Sequence, residues 1–171
     1  LKGDRLFVDV DTGTDSGKAV ARMVQLGFMS GYDGNYFGPG DTITRAQVAK
    51  VATLVGGIHT DVVENADAPS FADVALRHDS NGAPVAYPFD YVEEAAAAGL
   101  VNGAPGEGGV PVFRPNEPIT RVQLAQILAR MARQLKGYGS IGAGGSTIPA
   151  AEQPAVSFTD LPDYAVADVA L

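Results

Sequence analysis

Apolar residues fall at helical spacing in four stretches of the chain, and no stretch alternates between apolar and polar for long enough to define a strand. Val20, Met23, Val24 and Gly27 share one face of a predicted first helix, and Val92, Ala95, Ala96 and Gly99 share the matching face of a third. Val48, Val51, Ala52 and Val55 form the stripe of a second helix, and Leu124, Ile127, Leu128 and Met131 that of a fourth. Loops rich in Gly, Asp, Asn and Pro separate the members of each pair, so the pattern reads as helix, loop, helix, twice over. Gly31 and Gly103, just past the first helix of each pair, are placed for a C-terminal cap in the left-handed region.

The two pairs are copies of one unit. Phe7, Asp9 and Val10 recur as Phe71, Asp73 and Val74, and again as Phe158, Asp160 and Leu161. Leu26-Gly27-Phe28-Met29-Ser30-Gly31 matches Ala98-Gly99-Leu100-Val101-Asn102-Gly103, and Phe37, Pro39, Ile43, Thr44, Arg45 and Gln47 match Phe113, Pro115, Ile119, Thr120, Arg121 and Gln123. The second copy carries extra residues around His78 to Pro84 and around Ala104 to Val110, both rich in turn formers, which read as loop insertions. The stretch from Gly137 to Pro154 has the composition of a flexible connection into a third copy that is only begun.

Thr44-Arg45-Ala46-Gln47 and Thr120-Arg121-Val122-Gln123 satisfy the capping-box rule, with Ile43 and Ile119 placed to staple onto Val48 and Leu124. That accounts for the threonines and glutamines. The arginines break a local rule, because a cation at the first helical position faces the positive end of the helix dipole. An arginine beside unpaired amides at a helix N-terminus is an arrangement suited to a carboxylate. The alternative for both arginines is that their stems cover apolar surface.

Phe-x-Asp-Val, then a helix running into Gly-Phe-Met-Ser-Gly or Gly-Leu-Val-Asn-Gly, then Phe-x-Pro and Ile-Thr-Arg-x-Gln, repeated in that order, resemble the S-layer homology (SLH) family. The resemblance implies an all-α module of helix-loop-helix repeats about a pseudo-threefold axis. The first would span 1–66, the second 67–156 with its insertions and flexible tail, and an incomplete third 157–171. It further implies a non-enzymatic, extracellular anchor at the bacterial cell wall or S-layer, which binds secondary cell-wall polysaccharide, often pyruvylated, in grooves between repeats. Arg45 and Arg121 match the arginine of the family's Thr-Arg-Ala-Glu motif and are the implied ligand contacts, with no cofactor and no metal. Gln47 and Gln123 stand where that motif has Glu, which keeps the capping bond and removes a negative charge beside each arginine. The competing reading is a structural module whose repeats pack with copies of themselves or with other S-layer proteins.

Bulk properties narrow the alternatives. At 171 residues and 46% hydrophobic content the chain can bury a core suited to one domain or to two or three small repeats. A net charge of -8 argues against a general nucleic-acid binder, which needs a basic stripe, so any anionic ligand must meet a few local cations. The absence of cysteine excludes disulfides, thiolate metal sites and cysteine nucleophiles, and fits an exported protein. No run approaches the roughly 18 apolar residues that cross a bilayer. With no basic-then-apolar leader before Leu1 and an apolar, acidic pattern still running at Leu171, the chain reads as a mature fragment of something longer.

Asp9, Asp11, Gly13 and Asp15 imitate the start of a calcium loop, but Thr14 and Val20 occupy the positions that need Gly and Glu, so they read as a turn and a cap. Gly137 to Gly142 fits a dinucleotide fingerprint on paper, yet it follows a helix and precedes none. Ser140 lacks the first glycine of a nucleophile elbow. His59 and His78 are too few and too far apart for a metal site, and Glu93 and Glu94 are expected for dipole and capping reasons after Asp90.

Overall fold

A computed structural model describes residues 6–58 and 68–134, with side chains through 132. His59, the 137–154 stretch and the third repeat from 157 to 171 lie outside the described residues. The chain divides into two compact units, Leu1–Ile43 and Thr44–Leu171, so the second helix of repeat one folds with repeat two.

In the first unit the Asp11 carboxylate accepts from the Gly13 amide at 2.9 Å, forming a turn that delivers Thr14 as N-cap of α1 (Asp15–Gln25). Thr14 Oγ1 accepts from the Gly17 amide, so the acidic run at 9–15 builds a turn and a cap, as its spacing predicts. The helix closes in a Schellman pattern, Phe28 N–H to Met23 C=O and Gly27 N–H to Val24 C=O, with Gly27 at φ +74°. At the ends of α1 and of its counterpart in repeat two the left-handed cap glycines are therefore Gly27 and Gly99 (φ +69°), four residues before the predicted Gly31 and Gly103. Gly31 is glycine for a different reason: a Cβ there would lie 2.2 Å from the Phe7 ring and 2.5 Å from the Tyr36 carbonyl. Beyond α1, Phe7 and Phe37 pack with centroids 5.4 Å apart, and Asp9 accepts from the Phe37 and Gly38 amides at 2.9 and 2.8 Å. Those bonds, the Phe37 amide foremost, hold the Asp9 carboxyl below the ordinary carboxylate range.

The second unit contains α2 (Arg45–Val55), a hairpin of β1 (Arg77–His78) and β2 (Pro84–Val85), α3 (Phe89–Ala97), a 3-10 turn at Glu107–Gly109 and α4 (Arg121–Gln134). The expectation of an all-α fold therefore needs correction: the insertion at 78–84 folds back as an exposed antiparallel hairpin, its turn held by Asp79 Oδ1 accepting from the Asn81 and Ala83 amides. Both capping boxes form, with Thr44 and Gln47 exchanging bonds of 3.3 and 2.8 Å and Thr120 and Gln123 bonds of 3.3 and 3.0 Å. The core lies where α2 meets α3 and α4, around Ala49, Ala52, Val92, Ala95 and Phe89. Thr53 is sealed there and donates its hydroxyl proton to the Lys50 carbonyl. Of the predicted α4 stripe, Ile127 and Met131 are buried, whereas Leu128 stands 53% exposed and Gln126 takes a buried place. Leu128 matches Ala52 of α2, which is 3% exposed, so α4 leaves open, among the described residues, an edge that is buried on α2.

Asp90 is not the cap of α3, whose N-cap is Pro88. Its Oδ1 is sealed from solvent without a hydrogen-bond partner, and burial pushes its pKa above the ordinary 3.8. Glu93 instead reaches back, accepting from the Ser70 amide and hydroxyl at 2.9 and 2.6 Å. Because the folded state holds the Asp90 proton more tightly than the unfolded chain does, Asp90's contribution to stability is fullest below the unfolded value and declines as pH rises through the raised folded value. Asp90→Asn is therefore expected to raise the melting temperature at pH 7 and to flatten the decline that begins near pH 4. A variant that melts at or below the parent at neutral pH would show that the carboxylate has a partner.

Candidate functional site

A groove of about 540 Å³ opens in the second unit where the N-terminus of α2 meets the loops of repeat two. Its floor follows from the Phe-x-Asp-Val motif. Asp73 accepts from the Phe113 and Arg114 amides, both at 2.7 Å, and Phe71 packs on Phe113 with centroids 5.2 Å apart. This pins the loop that carries Phe113, Arg114 and Pro115. Gly103 is drawn against the same ring, since a Cβ there would approach Phe71 Cε1 to 2.6 Å.

Arg45 bridges from α2 onto this loop. Its Nε donates to the Phe113 carbonyl at 2.7 Å, its Nη2 donates to the Asn102 carbonyl at 3.1 Å, and its guanidinium lies 4.6 Å over the Phe113 ring. Burial lowers the proton affinity of this guanidinium, while nearby Glu117 raises it. The α2 amides are taken as well: Arg45 N–H donates to the Glu117 carbonyl, Ala46 N–H to the Pro115 carbonyl and Gln47 N–H to Thr44 Oγ1. The unpaired amides expected beside Arg45 are therefore engaged by the protein itself, and the arginine's breach of the dipole rule has a local cause.

Arg121, the matching residue of repeat two, is exposed and does not line the groove. Its side chain has no hydrogen bond or ion pair among the described residues. The structure thus separates the two predicted site residues, placing Arg45 in the groove wall and Arg121 at an outward helix terminus. His78 sits on the exposed hairpin, apart from the groove.

Two cations not singled out by sequence line the groove with Arg45. Arg130 Nη1 donates to the Leu100 carbonyl at 3.2 Å, and its Nη2 donates to the Asn102 side-chain oxygen at 3.2 Å in the amide orientation that the Val101 carbonyl requires. Arg114 sits at φ +59°, a left-handed backbone that costs a non-glycine residue about 1–2 kcal/mol. Its guanidinium lies 3.7 Å from Glu117, both side chains being more than half exposed, a loose pair of the kind that contributes little. The sequence did carry a signal: Phe113-Arg114-Pro115 aligns with Phe37-Gly38-Pro39, and an arginine at a glycine position of a turn is a conflict worth explaining. Three guanidiniums and one carboxylate thus border a single groove in a chain of net charge -8, giving it the local chemistry of an anion site.

Comparison with known proteins agrees with the repeats. The chain is similar to the surface-layer 125 kDa protein of Lysinibacillus sphaericus, 31% identical over 129 residues, a match covering 75% of this chain and 10% of that protein. The chain therefore spans about a tenth of that relative's length. The model of the S-layer homology domain matches residues 6–49 and 82–125, slightly more than half of the chain, and the second match opens after the residues of the β1 strand. With two matches placed over the two repeats, the chain belongs to the S-layer homology domain family.

Proposed function

We propose that this chain is a non-catalytic module that anchors an extracellular protein to the bacterial cell surface by binding secondary cell-wall polysaccharide. The observation that carries the reading is the concentration of Arg45, Arg114 and Arg130 around one groove of an otherwise acidic chain. A wall polymer bearing carboxylates, pyruvate ketals among them, presents the planar acceptor that a guanidinium fork matches, and half-buried Val112 and Ile119 in the groove lining suit the apolar face of a sugar. Membership of the S-layer homology family supports a place at the cell wall or S-layer.

A third repeat beginning near 157, set with the other two about a pseudo-threefold axis, completes this reading. The outward face of α4 with Leu128, and Arg121 at its N-terminus, would stand to that repeat as α2 and Arg45 stand to repeat two. The test is sedimentation with wall sacculi from the producing bacterium, native or stripped of attached polysaccharide. The chain is expected to pellet with native sacculi only, and less so as salt rises. Equal retention on stripped sacculi would remove the polysaccharide from the proposal. The second reading, assembly with copies of itself or with S-layer proteins, draws on the relative being a surface-layer protein and on exposed Leu128. Sedimentation of the chain without sacculi would favour it.

A further inference from the structure

The three arginines of the groove are not equivalent. Arg45 and Arg130 each direct two guanidinium nitrogens at oxygens of this chain, so what they hold in place is the loop at 100–113. Arg114 is different in backbone and in side chain. Its amide is spent on Asp73, but its guanidinium faces Glu117 at 3.7 Å, beyond hydrogen-bonding distance, and is 55% exposed at the groove. A neighbouring carboxylate at that distance is a stand-in that an incoming carboxylate can replace with a bidentate pair.

The repeats themselves provide the comparison. Both form the same turn, Asp41 N–H to Gly38 C=O in repeat one and Glu117 N–H to Arg114 C=O in repeat two. In repeat one the position is Gly38 at φ +70°, and a Cβ there would lie 2.3 Å from Asp41 Oδ2. In repeat two the longer Glu117 replaces that aspartate, and the left-handed position carries an arginine. The turn forms with glycine, so the arginine is not required to build it. A side chain kept at an unfavourable backbone angle that the fold can satisfy with glycine points to a role outside folding.

We propose that Arg114 is the ligand-reading cation of this groove, forming a bidentate pair with a carboxylate of the wall polysaccharide, while Arg45 and Arg130 position the loop that presents it. This rests on the anchoring function proposed above. The test is Arg114→Gly, with Arg114→Lys and Glu117→Gln beside it, each measured for melting temperature and for binding to native and stripped sacculi. Arg114→Gly is expected to melt at or above the parent, because glycine relieves the left-handed angle, and to bind native sacculi about tenfold more weakly or worse through loss of a charge-assisted pair. Lysine is expected to recover only part of the binding, since it restores charge without the fork. Glu117→Gln is expected to bind at least as tightly as the parent, because it removes the competing carboxylate. If the parent discriminates native from stripped sacculi and Arg114→Gly binds like the parent, Arg114 is not the reader although the anchoring function stands. If the parent itself does not discriminate, the anchoring function fails and this inference fails with it.

Discussion

Replacing Phe113 with alanine is expected to destabilise the second unit by about 3–5 kcal/mol, the range for a buried aromatic whose site cannot collapse. Collapse is blocked on three sides. The ring is 1% exposed, Phe71 lies against it at 5.2 Å, and the Arg45 guanidinium lies over it at 4.6 Å. The backbone at 113 is fixed by Asp73, so the loop cannot move inward to fill the space. Phe37, which matches Phe113 in repeat one, is only half-buried, and its alanine variant should cost clearly less. Urea denaturation followed by far-ultraviolet circular dichroism checks both. A Phe113→Ala cost below about 1 kcal/mol would mean that the groove floor is far softer than this packing implies.

What the sequence made legible was whatever is decided within one turn of chain. The capping boxes at Thr44 and Thr120 are read directly, because the donor and acceptor are three residues apart and no distant partner can override them. Asp9 and Asp73 were visible as recurring residues, but not as clasps, because their acceptor bonds close loops of 28 and 40 residues. The same limit explains Arg45. Its sequence neighbours make it look misplaced, and the group that accounts for it, the Phe113 carbonyl, is 68 residues away. Leu128 marks a different limit. Helical spacing gives the stripe correctly, but which edge of the stripe is covered depends on the neighbouring elements: the matching residues Ala52 of α2 and Leu128 of α4 are 3% and 53% exposed. The hairpin at 77–85 is not legible in the sequence because two-residue strands are too short to show alternation, and the turn residues from Asp79 to Gly82 mark a loop without showing that it pairs.

Arg45→Ala is expected to cost about 2–4 kcal/mol and Arg121→Ala less than about 0.5 kcal/mol, although sequence alone places the two in identical motifs. The difference arises from what each guanidinium touches. Removing Arg45 leaves the Phe113 and Asn102 carbonyls without their charged donor and takes away the cation stacked on a buried ring. Removing Arg121 leaves no described group unsatisfied and takes a cation off the positive end of α4, a small relief. Arg45→Lys should recover less than half of the loss, because one ammonium cannot reach two carbonyls with the geometry of Nε and Nη2. On native sacculi Arg45→Ala is then expected to bind weakly and to melt low, the two defects moving together, because loosening α2 from the loop displaces the groove wall. A thermal midpoint equal to the parent's, with wall binding lost, would overturn the positioning role and make Arg45 a direct ligand contact. For Arg121 the separation runs the other way: with stability unchanged, any loss of wall binding on Arg121→Ala reports on a ligand contact alone.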